Sequence, residues 1–151
     1  MKRLSPKRHK RTRRITEEQA FKQYREKQKK VLERECINLW QEIVKRKALY
    51  KCEITQARGV THSHHIFHRA NYPILRYNTL NGACLSAGQH FKAHQQGEAS
   101  LIAELIKQRG VEWFNKLMSI RIAGEVAGFQ WNVENLTEQR ERLENELKEL
   151  L

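Results

Sequence analysis

Two adjacent histidines, His64 and His65, a single asparagine, Asn81, and two further histidines four residues apart, His90 and His94, constrain this chain more than any other feature. Side chains at i and i+4 lie on one face of a helix, so His90 and His94 can bind one cation together. A third nitrogen must come from His64 or His65. If those two lie in an extended segment, their side chains point to opposite faces, so one can ligate while the other stays uncoordinated. An uncoordinated imidazole can act as a base.

The surrounding charge narrows the chemistry. The chain has 151 residues, enough for one modest domain with appendages, and a formal net charge of +12 that suggests a polyanionic partner. Residues 1–14 carry eight bases and no acid: Lys2, Arg3, Lys7, Arg8, Lys10, Arg11, Arg13 and Arg14. Arg8, Arg11, Arg13 and Arg14 are the expected nucleic-acid contacts of this arm, which is too charged to fold alone. From Lys51 to Gly97 a single acid, Glu53, stands against Lys51, Arg58, Arg69, Arg76 and Lys92, so the surface near the histidines is expected to be positive. The chain contains no aspartate, which makes a two-metal carboxylate site hard to assemble.

Compartment follows from what is missing. No apolar run approaches the roughly 20 residues of a membrane span, and the basic N-terminus does not resemble a secretory leader. Three widely spaced cysteines, Cys36, Cys52 and Cys84, argue against a disulfide framework. A cytoplasmic protein without membrane contact is expected, in the host cytoplasm if the chain is phage-encoded.

Hydrophobic periodicity gives an α+β, mostly helical fold. Residues 1–15 form the arm. Thr16-Glu17-Glu18-Gln19 has capping-box form and opens a helix over 16–48, with an apolar stripe from Phe21 to Val44 that is thin in its N-terminal half. Strands are expected at 60–66 and 80–85 around a loop of 67–79, followed by a helix capped at Ser86 and closed by Gly97. Helices over 98–108, 111–123 and 136–151 complete the chain, packing on the 49–97 core. The leucine seam Leu136, Leu143, Leu147 and Leu150 either docks on its own domain or serves a homodimer or a phage or host protein partner.

The pattern His64-His65-Ile66, Asn81-Gly82, Leu85, His90 and His94 resembles the HNH endonuclease family, whose core is the ββα-metal hairpin and helix. The resemblance covers roughly residues 50–97. It implies that His64, His90 and His94 bind one divalent metal, that His65 is the general base, and that Asn81 holds the hairpin loop so that His65 is aimed. Arg69, counted with the catalytic residues, and Arg76 would lie where the scissile phosphate passes, with Lys92 as a further nucleic-acid contact. The implied activity is hydrolysis of DNA to 5′-phosphate and 3′-hydroxyl ends, supported by Mg2+ or Mn2+, while Zn2+ or Ni2+ bind well to imidazole. Because a basic catalyst must be neutral, activity is expected to fall as pH drops through about 6.5, an ordinary imidazole value. Phage-type members carry two Cys-x-x-Cys knuckles, but the corresponding positions are Cys52 and Thr55, then Ser86 and Gln89. No structural zinc is expected, and Ser86 with Gln89 can cap the helix instead. The alternatives on the same fold are a non-catalytic nucleic-acid-binding module and an assembly protein.

Overall fold

The computed structural model describes residues 15–151. Five helices surround one two-stranded hairpin: α1 (Glu17–Lys47), β1 (Thr61–His65), β2 (Gly82–Ser86), α2 (Ala87–Gln96), α3 (Glu98–Arg109), α4 (Val111–Ala127) and α5 (Val133–Lys148). The fold is thus α+β and mostly helical. Among the described residues, no helix is long and apolar enough to cross a membrane.

Helix α1 starts where the sequence places it. Thr16 Oγ1 accepts from the Gln19 N–H at 3.2 Å, and Gln19 Oε1 accepts from the Thr16 N–H at 3.0 Å. Its buried residues, Leu32, Cys36, Trp40, Ile43 and Val44, all lie in the C-terminal half, whereas Phe21 and Tyr24 are exposed. The apolar stripe therefore buries only where partners exist. Those partners are chiefly Leu136 and Leu143 of α5, which share a core with α1, Tyr77 and Cys84. The leucine seam is thus occupied within the chain.

The hairpin sits between two helical layers. β1 and β2 pair antiparallel, with His62 opposite Leu85 and His64 opposite Ala83. Gly82 and Cys84 of β2 meet α1, while Ala83 and Leu85 join Ile66 and α3 residues Leu101 and Leu105. A strand covered on both faces explains why this stretch is an unbroken apolar run. Gly82 has a packing reason: a Cβ there would overlap the Val44 side chain and come within 3.1 Å of Trp40 Cζ2.

Several boundaries differ from the sequence expectation, three of them for a visible local reason. Leu80 and Asn81 belong to a 3-10 turn (Thr79–Asn81) rather than to β2, because Asn78 Oδ1 takes the Leu80 N–H at 3.0 Å. α4 runs past the expected end at residue 123, through Gly124, and is capped by Gly128 in the left-handed region, φ 59°. Gly124 is there for close approach, since a Cβ would strike Ile74. α5 begins before Leu136, because Asn132 and Asn135 form a reciprocal cap with two 2.8 Å bonds.

The 67–79 loop is held by residues distant in sequence. Trp40 Nε1 donates to Asn78 O at 3.0 Å, Trp131 Nε1 to Pro73 O at 2.7 Å, and Gln139 Nε2 to Tyr77 O at 3.3 Å. Arg121 lies 4.9 Å from the Phe67 ring centre and 4.2 Å from that of Tyr72.

Candidate metal centre and the cavity around it

The alternation of β1 divides its side chains between two helices. Ser63 and His65 face α1, where Ser63 Oγ donates to Gln41 O at 2.9 Å, while His62 and His64 face α2. Ser86 Oγ takes the Gln89 N–H at 3.5 Å and starts α2, placing His90 and His94 one turn apart on the side facing β1. Only half of the expected capping box forms.

His64, His90 and His94 converge. Their ligand nitrogens all lie within 4.8 Å of one another, and the ring centres are 4.7 Å to 5.0 Å apart. Each pair of rings is nearly perpendicular, at 79° to 86°. Burial, followed by the neighbouring His90 and His94, pushes the His64 imidazole down to about 4. His90 is lowered for the same first reason, then by His94 and His62. Neutral nitrogens are what a cation requires, so this donor set fits one divalent ion.

His65 points the other way. Its ring stacks on Trp40 with centres 3.9 Å apart and planes at 7°, and Nε2 lies 2.8 Å from Arg76 O. A carbonyl only accepts, so Nε2 carries the proton and Nδ1 is left as the basic nitrogen. Burial brings the ring down to about 4, against the opposing effect of that hydrogen bond, with Arg69 and Arg76 lowering it further.

Asn81 connects the loop to this geometry. Fully buried, it accepts the Phe67 N–H at 2.8 Å and donates to Phe67 O at 3.0 Å and Leu75 O at 3.2 Å. Its own carbonyl takes the Ile66 N–H at 2.9 Å. The end of β1 and the segment leading to the Arg76 carbonyl are thereby tied to one side chain.

A cavity of about 350 Å³ opens over these groups, lined by His64, His65, His90 and His94 together with His68, Arg69 and Glu98. Arg69 thus joins the histidines. Arg76 does not line the cavity: its guanidinium faces Glu33 of α1 at 3.4 Å, and only its carbonyl serves the site. Lys92 lies elsewhere on α2, in a separate depression with Gln89 and Glu104. Arg8, Arg11, Arg13 and Arg14 lie outside the described residues.

Glu53, the single acid between Lys51 and Gly97, does not line the cavity. Glu53 is bound to Arg109, with both carboxylate oxygens 2.7 Å from Nη2, and its Oε2 takes the Cys84 N–H at 2.8 Å. Glu98 lines the cavity instead, at the start of α3, and its carboxylate accepts the His68 N–H at 3.3 Å. Glu98 follows Gly97, whose positive φ of 78° separates α2 from α3. Cys52, the one remaining knuckle cysteine, hydrogen-bonds with Thr55 and Ser86; burial raises its thiol, but these bonds outweigh it and bring it to about 7.

Comparison with protein families, with curated proteins and with solved structures returned no match to this chain.

Proposed function

We propose that the chain is a metal-dependent endonuclease of the HNH type that hydrolyses phosphodiester bonds in DNA. One observation carries the proposal: three imidazoles gather their nitrogens within 4.8 Å of one another, while a fourth, on the opposite face of the same strand, is held with Nδ1 unprotonated. His64, His90 and His94 would hold one divalent cation, Mg2+ or Mn2+ for turnover, with Zn2+ and Ni2+ as tighter ligands of the same nitrogens. Such an ion supplies positive charge that stabilises the transition state of a phosphodiester.

The protein groups do the rest. His65 Nδ1 accepts a proton from the attacking water, and the Arg76 carbonyl stabilises the charge that Nε2–H then shares. Stacking on Trp40 fixes the ring plane, and Asn81 sets the loop that brings the carbonyl to it. Arg69 offers a cationic contact for the phosphate. The odd number of cysteines supports a cytoplasmic setting, and the +12 charge supports a nucleic-acid partner.

Incubation of supercoiled plasmid with Mg2+, Mn2+ or Ni2+ tests the proposal. Wild-type protein nicks or linearises the plasmid, and His65→Ala does so about 10²- to 10⁴-fold more slowly while retaining Ni2+ binding. A folded wild-type protein that binds the duplex without cutting it under any of these ions would be a non-catalytic module.

A further inference from the structure

The cavity has a wall that the metal centre does not use. After β1 the chain turns at His68, Arg69 and Ala70, forming a lip that carries His68 and Arg69. Two hydrogen bonds fix it. Glu98 accepts the backbone N–H of His68 at 3.3 Å, and His68 Nδ1 accepts the backbone N–H of Ala70 at 3.3 Å. A ring nitrogen that accepts a hydrogen bond carries no proton, so the hydrogen of this imidazole is on Nε2.

We infer that His68 is a phosphate-binding residue whose Nε2–H donates to a non-bridging oxygen of the phosphodiester in the cavity, and that Glu98 is the positioning residue that sets this lip. The inference rests on the phosphodiester reading above and adds a residue pair to it. His68 and Arg69 are consecutive and border the same cavity as the three convergent imidazoles, so a phosphate there meets one neutral and one charged donor. The Glu98 carboxylate would repel a phosphate, but its oxygen is directed at the His68 backbone.

Duplex binding by the full chain, loaded with Ni2+ and carrying His65→Ala to prevent turnover, tests this across a salt series. Adding His68→Ala weakens binding roughly tenfold, the worth of one hydrogen bond to a charged group, with the salt slope unchanged because a neutral donor displaces no counterion. Arg69→Ala, by contrast, makes the slope shallower by about one. His68→Gln, which returns an N–H donor at similar reach, restores most of the affinity. For Glu98 the informative comparison is Ala against Gln, since both remove the charge and only Gln keeps an acceptor. Glu98→Ala binds more weakly than Glu98→Gln, and the difference vanishes when His68 is already Ala. Unchanged Ni2+ affinity in every variant shows that the centre is intact. Affinity within about twofold of the parent for His68→Ala, or failure of Gln to restore it, overturns the assignment. Failure of the wild type to cleave would instead sink the nuclease reading alone, because these measurements need no turnover.

Discussion

At the residue scale, what decides His65 is burial. The sequence alone expects activity to fall near pH 6.5; the fold moves that limb, because burial holds the His65 ring neutral down to about 4. For a base the sign is simple: lowering its pKa keeps it unprotonated to lower pH. On the proposed nuclease reading, with metal saturating, kcat should therefore stay level through pH 6.5 and decline only toward 4, and a pH–rate profile with its acid midpoint at 6.5 or above would contradict this. Asn81 makes a second case. Replacing it with Ala strands the Phe67 N–H and the carbonyls of Phe67 and Leu75 in a dry interior, for about 3 kcal/mol of lost stability in urea unfolding. The convergent histidines were legible because two simple periodicities, four for a helix and two for a strand, place them. Glu98 and His68 were not, because their meeting depends on the separation of α2 from α3 at Gly97 and on a bond spanning thirty residues of sequence.

At the element scale, the hairpin is shaped by what covers it. β2 lies flush against α1 only because residue 82 has no side chain, and Gly82→Ala should cost about 1–3 kcal/mol through displaced Val44 and Trp40, read as a lower thermal midpoint. Because Trp40 stacks on His65, the same variant should lower the proposed nuclease activity as well as stability. Caps were legible from composition where they are local, as at Thr16 and Ser86. Glycines misled: Gly124 looks like a stop in the sequence, yet it is a contact point inside α4, and nothing local distinguishes the two uses. The Glu53 to Arg109 pair was invisible for another reason. It joins the approach to β1 with the end of α3, and Arg109 Nη2 also donates to Gly82 O at 2.7 Å, so it anchors the hairpin rather than serving the cavity.

At the scale of the whole molecule, the C-terminal half is part of the site's support. α4, the segment before α5 and α5 itself each contact the 67–79 loop, through Arg121, Trp131 and Gln139. With Leu136 and Leu143 buried against α1 and Leu147 packed on the same core, most of the seam is used within the chain, and Leu150 alone of the four is exposed. Light scattering should therefore give the mass of one chain, 18.0 kDa, and a mass of twice that would show another interface. The division between core and appendage drawn from sequence undervalued this, because amphipathic helices disclose that they dock but not where. One feature of α1 reaches further. It is a single uninterrupted helix from Glu17 to Lys47, and the 23 steps from Glu17 to Trp40 span about 35 Å at 1.5 Å each. That length is close to one turn of B-form duplex. α1 is thus a caliper: the offset between its first turn and the ring stacked on Trp40 is set by the length of a rod.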